Sequence, residues 1–116
     1  MDYRKIFKLQ LNNFLNELVE IYDDDFIKSV KSQIIEYMET EDFYEFLKNY
    51  FTEDFENNIN NRNMSSILKS KQLILPTSKE NIILIRANQY WNKMSENTKG
   101  NCWRYIDSII EIYKNI

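Results

Sequence analysis

With one glycine and one proline among its 116 residues, this chain has almost nothing with which to turn a β-hairpin. Strand-rich folds reverse every ~8–12 residues, and their tight turns draw on Gly for positive φ. Helices need neither residue in their interiors and are weakened by both. The expectation is an all-α fold, a compact irregular bundle of about five to seven helices forming a single domain over 1–116. A chain of this length can bury roughly two-thirds of its unfolded surface, enough for one core. Seven Phe, eight Tyr and two Trp supply large side chains to fill it.

What the chain lacks narrows its chemistry. It has no histidine, the commonest metal ligand and general base. Its one cysteine, Cys102, can form no internal disulfide and no zinc site by itself. No cofactor, metal or catalytic residue is expected. The N-terminal segment carries Arg4, Lys5 and Lys8 and no apolar core of a signal sequence. No apolar run approaches the ~18 residues of a membrane span. These features read as a cytoplasmic chain with no membrane partner. Ile, Asn and Lys occur 16, 15 and 11 times, a bias that an A/T-rich genome explains without chemistry.

Apolar spacing predicts the helices. Phe7, Leu11, Phe14, Leu18 and Ile21 form one stripe of a first helix over 2–22, capped by Asp2. Asp23-Asp24-Asp25 ends it and caps a second helix over 26–39. Thr40-Glu41-Asp42-Phe43 and Thr52-Glu53-Asp54-Phe55 read as two capping events, each opening a helix. The Asn-rich stretch 57–63 reads as a loop. A brief helix over 65–72, a connector at Leu73–Leu75 and Pro76, and a cap at Thr77 or Ser78 follow. Helices over 79–94 and 96–114 complete the chain, with Ser95 as a one-residue link. Phe14, Leu18, Ile34, Leu47, Ile106 and Ile110 are the expected core. Full burial of Leu18 or Ile106 would make replacement by Ala cost about 2–5 kcal/mol.

Several constellations invite chemistry. Asp23–Asp25 could hold a cation, but Ile27 and Lys28 stand where a calcium loop needs an oxygen ligand and a glycine, so capping explains the run better. Cys102 lacks a base and reads as a core residue. Charge is segregated: residues 1–56 carry 14 acidic and 6 basic side chains, residues 57–116 carry 4 and 9. Arg86, Lys93, Lys99 and Arg104, interleaved with aromatics, are the candidates for contact with nucleic acid. The net charge of −3 argues against that partner. Trp91, Trp103 and Tyr105 are the candidates for contact with a protein, because Trp and Tyr dominate binding hot spots. Trp103 and Tyr105 stand about 200° apart on an ideal helix, so one helix side cannot bury both.

The segment from Gln89 to Ile106 resembles a pattern in small uncharacterised helical proteins of the nucleocytoplasmic large DNA viruses, the mimivirus-like giant viruses in particular. The shared positions are Trp91, Asn92, Ser95, Thr98, Lys99, Trp103, Tyr105 and Ile106. The opening Leu11-Asn12-Asn13-Phe14-Leu15-Asn16-Glu17-Leu18 is similar to theirs as well. Arg104 stands where those proteins carry Lys, and Gly100-Asn101-Cys102 replaces residues that favour helix more. The resemblance implies a viral origin and a place in the host cytoplasm or the virion, and it carries no activity with it. The reading as a whole is a non-enzymatic accessory or virion-associated factor that binds another protein or a second copy of itself. A nucleic-acid-binding module using the basic C-terminal half is the alternative.

Overall fold

The computed structural model describes residues 2–69 and 80–116, and every regular element among them is a helix. Seven helices run in order: α1 Tyr3–Tyr22, α2 Asp25–Met38, α3 Asp42–Tyr50, α4 Glu53–Asn60, α5 Met64–Lys69, α6 Glu80–Lys93 and α7 Glu96–Tyr113. The expected connector at Leu73–Leu75 with Pro76, and the cap at Thr77 or Ser78, lie outside the described residues. Among the described residues, no helix is long and apolar enough to cross a membrane. The chain divides into two compact units, Met1–Thr40 with Glu96–Ile116, and Glu41–Ser95.

In the first unit α1 packs against both α2 and α7. Asp2 opens α1, its carboxylate accepting from the Lys5 N–H at 3.2 Å. Asp23 closes the helix in the left-handed region at φ 42°, where Asp is one of the few side chains tolerated. Asp24 then caps α2 by accepting from the Phe26 N–H at 2.7 Å. The acidic run therefore makes a turn, and Asp23 also pairs with Lys28 at 2.9 Å. Beyond the turn Lys31 donates to Asn16, and Lys8 pairs with Glu39 at 3.6 Å, so α2 runs back along α1. On the other side Phe7 meets Tyr113, Gln10 meets Ser108, and Phe14 meets Tyr105. Rising numbers on α1 match falling numbers on α7, so these two helices are also antiparallel.

The stripe on α1 enters the core at one end and leaves it at the other. Phe7 is 1% exposed, whereas Ile21 is 48% exposed. Leu15, on the flank of the stripe, is buried with Met38, Cys102 and Ile109. Of the six expected core residues only Leu47 is buried; Phe14, Leu18, Ile34, Ile106 and Ile110 are half-buried. Periodicity locates a helix's apolar face, but neighbouring helices decide which turns of that face they cover.

In the second unit α5 packs against α4 and α6. Phe43, Leu47, Ile59, Met64 and Ile67 are buried. Phe46, Tyr50, Phe51 and Phe55 form a ring cluster, with Tyr50 and Phe55 centroids 4.5 Å apart and Phe51 edge-on to Phe55 at 5.0 Å. This cluster takes up four of the chain's aromatics, and burial raises the Tyr50 phenol well above its ordinary pKa.

The two Thr-Glu-Asp-Phe segments differ. Thr52 caps α4, its Oγ1 accepting from the Phe55 N–H at 3.3 Å. Thr40 does not cap α3. Its hydroxyl donates to the Tyr37 carbonyl at 2.7 Å, at the end of α2. Glu41 takes the cap position instead, in helical backbone and with no side-chain cap bond. Thr52→Ala is expected to cost about 1 kcal/mol in chemical denaturation. Thr40→Ala, with no cap to lose, is expected to stay within about 0.5 kcal/mol of the parent.

The expected loop at 57–63 is also shorter than its composition suggests. Residues 57–60 belong to α4, and the turn is Asn61-Arg62-Asn63, with Arg62 at φ 55°. Burial of Ile59, one turn beyond Phe55, outweighs the weak helix propensity of the asparagines. Asn63 accepts from the Ser66 N–H at 3.2 Å at the start of α5. The link between α6 and α7 is Met94-Ser95, two residues long.

Candidate functional site

Antiparallel packing of α1 on α7 sets two polar rows face to face. Gln10, Asn13 and Glu17 follow each other at three- and four-residue steps on α1, and on α7 Arg104 and Tyr105 stand three and four residues after Asn101. Such steps place side chains on one helix face. Together the six line an open groove of about 470 Å³.

Tyr105 is held on two sides while staying partly exposed. Its ring stacks on Phe14, with centroids 5.2 Å apart and planes 15° from parallel. Its hydroxyl donates to the Glu17 carboxylate, and that bond leads the causes that raise its phenol above the ordinary pKa. Partial desolvation and the charges of Glu17 and Glu20 add to the shift. Gln10 Nε2 donates to Ser108 Oγ at 3.3 Å and ties the two helices together beside the groove. Arg104 is exposed at its lip. The groove therefore offers one carboxylate, one guanidinium, three carboxamides and one fixed aromatic ring. That set can hydrogen-bond, pair with either charge and stack.

Cys102 lies next to Asn101, Glu17 and Tyr105 but is only 5% exposed. Burial, then the Glu17 charge, pushes its thiol up to about 11. A thiol that keeps its proton is a poor nucleophile. Cys102 is expected to resist maleimide near pH 8 in the native chain and to react at once in denaturant. Burial also raises Tyr22 and Tyr113. Folding thus favours the protonated form of all three groups, and the unfolded chain releases these protons first. The Cys102 contribution to stability is complete below the ordinary thiol value of 9.0 and is lost as pH rises through about 11. Those of Tyr22 and Tyr113 are complete below the ordinary phenol value of 10.0 and are lost above it.

The residues picked out from the sequence fall on both units. Trp103 and Tyr105 share α7 in the first unit, and Trp91 belongs to α6 in the second. All three are half-buried. Of the basic candidates, Lys99 and Arg104 lie on α7, and Arg86 and Lys93 on α6. Lys99 pairs with Glu96 at 3.8 Å. The charge asymmetry between sequence halves does not follow the fold. The first unit carries 11 acidic and 8 basic side chains, the second 7 of each. Gln10, Asn13, Glu17 and Asn101 were not legible as site residues. Their spacing marks a polar row on each helix, but nothing local says that α1 pairs with α7.

No protein family, curated protein or solved structure matches this chain.

Proposed function

We propose that the chain is a non-enzymatic protein-binding module whose binding face is the α1/α7 side of the first unit. The observation that carries this reading is Tyr105, partly exposed yet held by the Phe14 ring and the Glu17 carboxylate, with Arg104 one residue away. Tyr and Arg are enriched among residues that dominate binding energy. A ring already fixed in place loses little conformational entropy when a partner closes over it. Trp103, half-buried about 200° around the same helix from Tyr105, offers a second aromatic on another side of α7. The resemblance of residues 89–106 to giant-virus proteins supports an accessory or virion-associated role in the host cytoplasm or the particle.

The nucleic-acid reading loses its main support once charge is counted by unit, because neither unit is net basic. The test is affinity capture from source cells with the parent, Tyr105→Ala and Trp103→Ala chains, after circular dichroism has shown that each variant folds. Tyr105→Ala is expected to weaken capture of the specific partner about thirtyfold, the loss of one hot spot of about 2 kcal/mol. If both variants fold and recover every partner of the parent, the face is wrong. Binding that collapses with salt and with replacement of Arg86 or Arg104 would replace this reading with nucleic-acid binding.

A further inference from the structure

We propose that the partner of the α1/α7 face is a second copy of the chain, docked about a two-fold axis with the two α1 helices antiparallel. The proposal rests on the reading of that face as a binding surface and adds the identity of its occupant.

Leu9, Asn13, Glu17 and Ile21 lie four residues apart on α1 and form one ridge. Leu9 and Ile21, at its ends, are the two most exposed large apolar side chains among the described residues, at 59% and 48%. At a rise of ~1.5 Å per residue they stand about 18 Å apart along the helix. Between them lie Asn13 and Glu17, with Arg104 across the groove. One exposed Leu on a protein surface is ordinary. The order along this ridge is not.

A two-fold contact must be complementary to itself: if one residue meets another, the second meets the first. The ridge reads apolar, polar, polar, apolar from either end. Inverted on its own copy about a point between Asn13 and Glu17, it sets Leu9 against the second copy's Ile21 and Asn13 against the second copy's Glu17. The groove also carries both signs of charge, so Arg104 of each chain can meet the second copy's Glu17. A carboxylate has lone pairs to accept that contact while keeping the Tyr105 hydroxyl. An unrelated partner would need neither the symmetric order nor the paired charges.

Sedimentation equilibrium of the full chain tests this. The parent is expected to dimerise, and Leu9→Lys, at an exposed position the fold does not need, to weaken the dimer at least about tenfold. Glu17→Arg and Arg104→Glu each set like charges against each other in their own dimers, and both are expected to be monomeric. An equimolar mixture of those two variants restores opposite charges at both pairings, and it is expected to dimerise. Mixing cannot rescue a defect confined to one chain. A parent that stays monomeric up to its solubility limit overturns the proposal. So does a dimer that Leu9→Lys and both charge variants leave intact, or a mixture that stays monomeric. A monomeric parent whose capture of another protein still falls with Tyr105→Ala overturns self-pairing alone and leaves the binding face standing.

Discussion

Phe7→Ala is expected to lower the stability of the first unit by about 3–5 kcal/mol, among the largest effects of any single truncation in the chain. Phe7 is 1% exposed and meets Tyr113 edge-on with ring centroids 6.4 Å apart. It sits where the start of α1 crosses the end of α7, so the truncation removes transfer energy and leaves a cavity between two helices. Urea denaturation followed by circular dichroism reads the loss. Leu18→Ala and Ile106→Ala provide the contrast. Both residues are half-buried, so each is expected to cost about 1 kcal/mol, not the larger figure that full burial would demand. A Phe7→Ala chain as stable as the Leu18→Ala chain would mean that α1 and α7 do not pack as described.

Phe43→Ala is the matching prediction for the second unit, again about 3–5 kcal/mol. Phe43 is 3% exposed and packs edge-on against Tyr44 at 5.4 Å. With Leu47, one turn further on, it anchors α3, a helix that lacks a side-chain cap bond and therefore depends on this burial. Fluorescence separates the two units conveniently, because Trp91 belongs to the second and Trp103 to the first. In a Trp103→Phe background the Phe43→Ala transition should move to lower urea when read through Trp91. No movement would place Phe43 outside a packed core.

The helices were legible because their signals are local. Asp2, Asp24 and Thr52 cap where a side-chain oxygen followed by an apolar stripe says they should. Thr40 misled because its segment matches that of Thr52, and only the backbone at Glu41 distinguishes them. The Asn-rich stretch has the weak helix propensity of a loop, and the burial of Ile59 that outweighs it is not a local signal. The core was legible as faces but not as depths. Phe7 and Ile21 belong to one stripe, yet one is buried and the other about half exposed, since coverage depends on where α2 and α7 lie along α1. For the site, Tyr105 and Arg104 were visible as residue types. Glu17, which bonds one and shares a groove with the other, was not, because it stands 88 residues before Tyr105 in the chain. Only the antiparallel pairing of α1 with α7 brings them together.

That pairing creates the face on which the functional account depends, and side-chain footprinting tests the face most directly. Hydroxyl radicals oxidise exposed aromatic and aliphatic side chains, so the chain is compared alone at low concentration and in its assembled state. Tyr105, Leu9 and Ile21 are expected to lose reactivity together on assembly, while Tyr3, near the far end of α1, keeps its own. Assembly that leaves Tyr105 and Ile21 as reactive as in the isolated chain, with protection appearing elsewhere, would contradict the account.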